Sequence, residues 1–305
     1  MSTTYFAPAK LNLFLHVTGR RADGYHLLES VFQLIDFGDT LTIDVRAGGV
    51  IRRVNQVAGV PEETDLAVRA ARLLQLDCGT PHGAELTIEK RIPLGGGLGG
   101  GSSDAATVLL ALNRLWGLHY SRQRLIALAL SLGADVPFFV FGQTAFAQGV
   151  GERLAPLDLP PLWYVVVIPP VSVPTAAIFQ SPELTRNAKS VKIADFSAGG
   201  QIWFPEPAFR NDLQPVAETK YPEIGRLIEW LRSACAKAAA ADSTAAGSAA
   251  SISARMTGSG ACVFAGFGSE EAAQTVLAQR PAGVGGFVAR GLSHHPLHDV
   301  VGEEL

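Results

Sequence analysis

The sequence has little cysteine, little net charge and no long apolar run, and each shortage excludes a class of protein. The three cysteines among 305 residues are an odd number without CxxC spacing, which excludes a disulfide framework and a cysteine zinc site. The 25 basic and 28 acidic residues give a net charge of -3, too small to attract a nucleic acid or an anionic membrane.

No run of apolar residues is long enough to span a bilayer, and the first residues lack the pattern of a signal peptide. We therefore expect a cytoplasmic protein with neither nucleic-acid nor membrane partners. With so small a net charge, any anionic ligand must be bound by local groups.

The sequence does contain enough apolar material for a large core. Hydrophobic residues make up 48% of the chain and charged residues 17%, as in a globular protein. A chain of 305 residues is expected to form one large domain or two domains. Prolines become frequent after residue 155, so we predict a boundary there, with domains spanning 1–155 and 156–305.

Apolar periodicity predicts both strands and helices. Between residues 5 and 18, leucines and valines alternate with Lys10, Asn12, Phe14 and His16, which predicts a strand with one functional face. Further strands are predicted at 40–46, 84–92 and 138–141, and helices at 64–76, 105–116, 121–132, 226–240 and 270–277. Residues 238–253 are an Ala/Ser-rich stretch, which we interpret as an insertion outside the core.

The strongest functional signal is a glycine-rich loop. Six of the seven residues from Gly95 to Gly101 are glycine, and the loop lies between a predicted strand and a predicted helix for which Ser102 or Ser103 is the expected N-cap. Glycines allow the backbone to approach a ligand closely, and a helix N-terminus presents unpaired N–H groups and a positive dipole end. The pattern therefore predicts a phosphate site.

The residues after the glycine run test two known kinds of phosphate-binding loop. A P-loop requires lysine after its second glycine, and here that position is occupied by glycine or serine. A dinucleotide site requires an acidic residue about 20 positions further on, yet residues 105–134 contain neither Asp nor Glu. The first alternative fails, and the dinucleotide-binding oxidoreductase remains as a remote alternative.

Three further residues have the chemistry of an active site, although each has an ordinary explanation. Lys10 is either a strand-edge lysine or an ammonium beside a reacting oxygen. Asp135 is either a turn or N-cap aspartate, or a general base at the entrance of an apolar segment. His26 is either a satisfied surface histidine or a ligand-binding group. The residues alone leave these alternatives open.

Together, these motifs resemble a known family. The segments concerned, in chain order over nearly the whole sequence, are 7–15 (APAKLNLFL), 21–26 (RADGYH), 93–106 (PLGGGLGGGSSDAA), 133–137 (GADVP) and 257–261 (TGSGA). The glycine loop is similar to that of the GHMP kinase superfamily, which includes mevalonate, homoserine and galactose kinases. The first two segments narrow the resemblance to its isoprenoid-pathway members, which act on a cytidine-diphosphate substrate.

The resemblance implies both a fold and an activity. The fold would be an α+β, two-domain GHMP kinase fold, with a ribosomal S5 domain 2-like N-terminal domain, a ferredoxin-like C-terminal domain and the active site in the cleft between them. The activity would be ATP-dependent phosphorylation of the 2-hydroxyl of 4-diphosphocytidyl-2-C-methyl-D-erythritol, with Mg²⁺, in the non-mevalonate route to isopentenyl diphosphate. Another small-molecule GHMP kinase, of mevalonate or homoserine type, is the alternative.

The resemblance also implies residue roles. Asp135 would be the general base, assisted by Lys10, and the substrate would contact Asn12, Tyr25, His26, Thr175 and Phe179. Tyr25 and Phe179 would stack on the cytosine, and His26 would recognise its edge. The implied ATP-binding residues are Pro93, Leu94, Gly95, Gly96, Gly97, Leu98, Gly99, Gly100, Gly101, Ser102, Ser103, Asp65 and Lys90.

Two features depart from the family or raise a separate possibility. The family tends to have an Asn-Leu pair near the adenine, where this chain has Asp65 and Leu66. The run at 294–298 (HHPLH) has the composition of a metal site, but we interpret it as a surface tail of the kind that the family carries.

A non-catalytic nucleotide-binding module is a third class of function. The presence of both Lys10 and Asp135 favours the kinase over such a module.

Overall fold

The computed structural model describes residues 2–198, 201–202, 204, 207–241 and 252–300, so most of the Ala/Ser-rich stretch predicted at 238–253 lies outside the described residues. The strands are β1 (Ser2–Arg20), β2 (His26–Arg46), β3 (Ile51–Arg53), β4 (Gly83–Glu89), β5 (Ala145–Gln148), β6 (Arg153–Pro156), β7 (Trp163–Ile168), β8 (Ser197–Ala198), β9 (Gln201–Ile202), β10 (Arg255–Met256), β11 (Val263–Phe267) and β12 (Gly285–Leu292). The helices are α1 (Leu66–Cys78), α2 (Gly100–Leu115), α3 (Arg122–Leu130), α4 (Val136–Phe141), α5 (Thr175–Phe179), α6 (Ile193–Phe196), α7 (Gln214–Lys220), α8 (Pro222–Ala241) and α9 (Glu270–Ala278).

In the described part of the chain, ten strands form one mixed sheet. The order along its main path is β10-β11-β7-β12-β2-β4-β3, with β1 and β5 also paired to β2, and β6 to β5. Neighbouring strands are antiparallel except β3 and β4. A dinucleotide-binding fold requires a mostly parallel sheet, so this topology excludes the oxidoreductase alternative.

Strand β1 contains both the site residues and part of the core. The predicted alternation holds as far as Asn12, with Leu11 and Leu13 in the core and Lys10 lining a cleft. The register with β2 then shifts between Asn12 and Leu15. The prediction that Phe14 lies on the functional face is therefore wrong. Its side chain packs among buried aromatic rings, and its ring centroid lies 5.3 Å from that of Phe209.

The helices near the glycine loop depart from the predictions in two places. Helix α2 begins at Gly100, with Gly99 as N-cap at φ 75°, so the expectation of a serine cap is wrong. The predicted strand at 138–141 is also wrong, because residues 136–141 form α4, which packs as a fully buried helix against α2 and α3. A short apolar run does not distinguish a buried strand from a buried helix, since both faces are apolar in either case.

Two other segments concern the predicted organisation of the chain. The boundary predicted near residue 155 lies in β6, and the sheet continues beyond it, because β12 pairs with both β7 and β2. The interpretation of residues 294–298 as a surface tail is wrong for His295, which is 2% exposed beneath α2 and α4. No helix in the described ranges is long and apolar enough to cross a membrane.

Candidate active site

A cleft of about 790 Å³ brings together residues from distant parts of the chain. Its lining comes from β1, the β1–β2 turn and the glycine loop, and from α5 and the loop after β10. The residues predicted from the sequence that line this cleft are Lys10, Asn12, Tyr25, His26, Lys90, Pro93, Leu94, Gly95, Gly96, Gly97, Leu98, Gly99, Gly100, Gly101, Ser102, Asp135, Thr175 and Phe179.

The glycine loop forms a backbone cradle at the N-terminus of α2. Gly95, Gly97 and Gly99 have φ values of 67°, 75° and 75°, which side-chain-bearing residues rarely adopt. Because α2 starts at Gly100, the N–H groups of its first turn belong to the loop itself. No side chain caps them, and they are available to an anion together with the positive end of the helix dipole.

A second loop, residues 257–262, packs directly against the glycine loop. The Ala261 and Cys262 N–H groups donate to the carbonyl oxygens of Gly95 and Gly96 at 3.2 and 3.1 Å. A Cβ at Gly97 would lie 2.3 Å from the carbonyl oxygen of Thr257. The two loops therefore fit together only when position 97 has no side chain.

Lys10 and Asp135 meet beside this cradle. The Lys10 backbone N–H donates to the carbonyl oxygen of Leu98 at 3.0 Å, which fixes β1 to the glycine loop. The Lys10 ammonium lies 3.6 Å from Asp135 Oδ2, and the two side chains are 4% and 38% exposed. Asp135 occupies the N-cap position of α4 without capping it by its side chain. Its carboxylate is thus directed by the ammonium and open to the cleft.

Asn12 orients the Lys10 ammonium. The ammonium donates a hydrogen bond to Asn12 Oδ1, and Asn12 Nδ2 donates to Ser30 Oγ at 2.9 Å. The backbone N–H of Asn12 donates to Thr257 Oγ1 at 3.0 Å, which connects β1 to the second loop. Since Asn12 is 1% exposed, its amide forms a buried link between β1, β2 and the catalytic candidate Lys10.

Lys90 belongs to a buried charge cluster that sequence analysis missed. Its ammonium donates to Asp39 and, at 2.7 Å, to Asp104 Oδ2. Burial lowers the pKa of Lys90, but Asp104 and Asp39 outweigh it and raise that pKa overall. Burial raises the pKa of Asp104 to about 7, with Lys90 opposing the rise and Asp39 adding to it. The Lys90 ammonium lies against the start of α2, as shown by the 3.2 Å between its Nζ and the position that a Cβ would take at Gly100.

The aromatic end of the cleft lies at the β1–β2 turn. The rings of His26 and Phe179 have centroids 5.0 Å apart, and Tyr25 is 62% exposed beside them. Thr175, at the start of α5, shares a hydrogen bond of 2.8 Å with Ser259 of the second loop. Tyr25, His26, Thr175 and Phe179 thus line the same cleft as Lys10 and Asp135.

Two predicted ATP residues lie outside the lining of the cleft. Asp65 is the N-cap of α1, where its side chain accepts the Ala67 N–H at 2.9 Å and pairs with Arg53. Leu66 lines the cleft instead. Ser103 is fully buried, and its hydroxyl donates to the carbonyl oxygen of Pro8 at 2.6 Å. Both side chains therefore serve the local fold, Asp65 as the cap of α1 and Ser103 as a buried link between α2 and β1.

Oxygen donors for a metal ion are few near the glycine loop. Among the described residues, no group of three or more His, Cys, Asp or Glu side chains could hold a metal ion, and this includes the tail at 294–298. In the same part of the chain, Asp104 Oδ1 is buried and has no hydrogen-bond partner. Near the loop, Ser102 lines the cleft and offers a hydroxyl oxygen, whereas Asp104 is 3% exposed, lies outside the cleft lining and binds Lys90 through Oδ2.

Comparison with known proteins places this architecture in a family. The family model described as "GHMP kinases N terminal domain" matches residues 65–143, which contain the glycine loop and α2. A solved homoserine kinase from Cytophaga hutchinsonii has the same fold, with a TM-score of 0.62 at 17% identity over 96% of this chain and 95% of its own. A solved mevalonate kinase aligns with a TM-score of 0.59 at 14% identity, over 96% of this chain and 100% of its own. The fold and its loop are therefore those of a GHMP kinase.

More similar relatives specify the branch of this superfamily. The 4-diphosphocytidyl-2-C-methyl-D-erythritol kinase of Thiobacillus denitrificans is 58% identical over 99% of this chain and 100% of its own length. That of Nitrosospira multiformis is 56% identical over 96% and 92%. A solved 4-(cytidine 5'-diphospho)-2C-methyl-D-erythritol kinase has a TM-score of 0.70 at 35% identity, over 95% of this chain and 100% of its own. The chain belongs to the 4-diphosphocytidyl-2-C-methyl-D-erythritol kinase family, as its motifs had indicated.

Proposed function

We propose that this chain transfers the γ-phosphoryl group of ATP to the 2-hydroxyl of 4-diphosphocytidyl-2-C-methyl-D-erythritol, forming the 2-phosphate and ADP on the non-mevalonate route to isopentenyl diphosphate. The observation that carries the proposal is the position of the Lys10–Asp135 pair. It lies in one cleft with an anion-binding glycine loop and with the aromatic end formed by Tyr25, His26 and Phe179.

The glycine loop accounts for the ATP side of the reaction. Phosphoryl transfer depends mainly on positioned phosphates, neutralised charge and an oriented hydroxyl. The N–H groups at the start of α2 bind the phosphate oxygens, and the Lys90 ammonium, paired with Asp39 and Asp104, lies against the same helix start. Mg²⁺ would offset the charge on the phosphate oxygens, and the Ser102 hydroxyl, which lines the cleft, would be the protein oxygen to hold it there.

The acid–base step falls to the pair in the cleft. Asp135 accepts the proton of the 2-hydroxyl, because its carboxylate is open to the cleft and is not used as a helix cap. Lys10 lies 3.6 Å from Asp135 and stabilises negative charge as it develops on the attacking oxygen. Asn12 holds the ammonium in place for this task.

The aromatic end of the cleft selects the substrate. The cytosine ring would stack on Tyr25 and Phe179, which both line the cleft, and His26 contacts Phe179 from the β1–β2 turn. Mevalonate and homoserine carry no ring for such a site. This feature favours the cytidine substrate over those of the other GHMP kinases.

The proposal is tested by turnover of matched substrates. Purified protein is mixed with ATP and Mg²⁺ and, separately, with 4-diphosphocytidyl-2-C-methyl-D-erythritol, mevalonate or homoserine, and ADP release is measured by a coupled assay. The Asp135→Asn variant serves as the blank for contaminating kinases. We expect ADP release with the first substrate alone. Turnover of mevalonate or homoserine, with none of the cytidine substrate, would refute the assignment.

A further inference from the structure

Arg186 is an arginine outside the sequence motifs that is bound directly to the predicted base-recognition residue. Its Nε donates to His26 Nε2 at 3.0 Å. Its two terminal nitrogens donate to the backbone carbonyl oxygens of Leu184, Phe179 and Ser181 at 3.0, 3.1 and 2.7 Å. The guanidinium is therefore anchored by three carbonyls, one of them on the ring-bearing residue Phe179, and its Nε–H is aimed at the imidazole.

This hydrogen bond determines which nitrogen of His26 carries the proton. A guanidinium has donors only and stays protonated at any physiological pH, so the nitrogen that it meets must be an acceptor. Nε2 of His26 consequently has no proton, and a neutral imidazole then carries its proton on Nδ1. Burial lowers the pKa of His26, and the charges of Arg186 and Arg20 lower it further, which keeps the ring neutral near pH 7.

We propose that Arg186 is a positioning residue that holds His26 as a hydrogen-bond donor through Nδ1–H, and that this donor makes the site prefer cytosine to uracil. The inference rests on the proposed function, in which His26 contacts the base. Cytosine has an acceptor at N3, whereas uracil has an N–H donor at the same position. An Nδ1–H group therefore pairs with cytosine N3 and opposes the N3–H of uracil, and a donor facing a donor is rejected more strongly than a merely missing contact.

The segment that carries Arg186 is fixed well enough to impose this choice. Glu29 of β2 is 5% exposed, and it accepts hydrogen bonds from Ser190 Oγ at 2.6 Å and from the Val191 N–H at 2.7 Å. The Ala188 N–H donates to a carbonyl of β1 at 3.1 Å. Because the segment is tied to both strands that flank the His26 turn, the imidazole and the guanidinium keep a constant separation.

The test compares cytosine and uracil preference in three variants. Arg186→Met removes the donor, Arg186→Lys retains a positive donor, and Arg280→Met is the matched control, since Arg280 also donates to backbone carbonyls but lies outside the cleft. For each, kcat/KM is measured with the cytidine substrate and with its uridine counterpart. We expect Arg186→Met to reduce the cytosine-to-uracil ratio about tenfold, Arg186→Lys to retain most of it, and Arg280→Met to leave it unchanged.

A direct readout comes from nitrogen NMR of the histidine side chains, with the His26 signal identified by its loss in His26→Gln. The native protein should show an unprotonated Nε2 and a protonated Nδ1 on His26, and Arg186→Met should release this single tautomer. An unchanged ratio in Arg186→Met overturns the inference even if KM rises for both substrates, and so does a protonated Nε2 in the native protein. If neither substrate is turned over, the proposed function has failed, and the tautomer and the ratio of CDP to UDP affinity then decide the inference separately.

Discussion

The contact between Lys10 and Asp135 leads to the most informative prediction. Two unit charges 3.6 Å apart interact with about 1 kcal/mol in bulk water and with about 5 kcal/mol at an effective dielectric constant of about 20. Lys10 is 4% exposed, whereas Asp135 is 38% exposed, so water screens one partner and the effect lies between these limits. We expect Lys10→Met to lower kcat about 100-fold, which corresponds to about 2.7 kcal/mol of transition-state stabilisation.

The assay separates chemistry from binding. Steady-state ADP release gives kcat and both KM values, and calorimetry gives the ATP affinity of each variant. Lys10→Met and Asp135→Asn should each reduce kcat and leave ATP affinity within about threefold of the native value, because neither changes the N–H groups of the glycine loop. Lys220→Met, at an exposed lysine outside the cleft, is the control and should be fully active.

The double variant provides the sharpest check. If Lys10 acts through Asp135, the two substitutions remove the same function, so the double variant should be little slower than Asp135→Asn alone. Strictly additive losses would show that the two residues act independently. A Lys10→Met enzyme that keeps more than half of the native kcat would refute the role of Lys10, and a comparable Asp135→Asn enzyme would refute the role of Asp135.

Three further predictions follow from the loops and the buried tail. Gly97→Ala should raise the KM for ATP at least tenfold, because its Cβ would meet Thr257 O at 2.3 Å. For the same reason it should lower stability by more than the roughly 1–3 kcal/mol that a positive φ alone costs. Steady-state kinetics measures the first effect and thermal unfolding the second. Ser103→Ala should cost about 1–2 kcal/mol of stability and leave kcat nearly unchanged, since the hydroxyl binds the Pro8 carbonyl, whereas Ser102→Ala should raise the KM for ATP. Burial lowers the pKa of His295 to about 3, so this imidazole stays neutral in the folded state. In the unfolded state it gains a proton below about pH 6.5, so the stability contributed by the neutral ring is lost as pH falls, by about 2 kcal/mol at pH 5. The variant His295→Asn should remove this part of the pH dependence of stability, as measured by chemical denaturation.

Each of these has a matched comparison. Gly283 has φ 79° with nothing within 4 Å of the position that a Cβ would take, so Gly283→Ala carries the backbone cost without the clash. Equal losses in the two glycine variants would contradict the proposed fit between the loops. Ser103→Ala should be compared with Ser102→Ala, and a reversal of their effects would contradict the placement of these serines. An unchanged pH slope in His295→Asn would show that the imidazole is not held neutral.

The site was predictable where the chemistry is local in sequence. Glycines between a strand and a helix specify a backbone cradle, because positive φ values and unpaired helix N–H groups are properties of neighbouring residues. Lys10 and Asp135 stood out only through their motifs, and both line the cleft. Asp39 and Asp104 were missed, because each approaches Lys90 only through tertiary packing and neither lies in a pattern that distinguishes it from a turn or helix aspartate.

The sequence by itself determined the family, the opening strand and a glycine loop between a strand and a helix, since these depend on residue order and local backbone preference. Tertiary structure alone decided that α2 begins at Gly100, that residues 136–141 are a helix, and that Ser103 and Asp65 face inward. It also decided that Arg186 reaches His26 across 160 positions of sequence. The physical reason is that burial and long-range hydrogen bonds select among local conformations that lie within a few kcal/mol of one another.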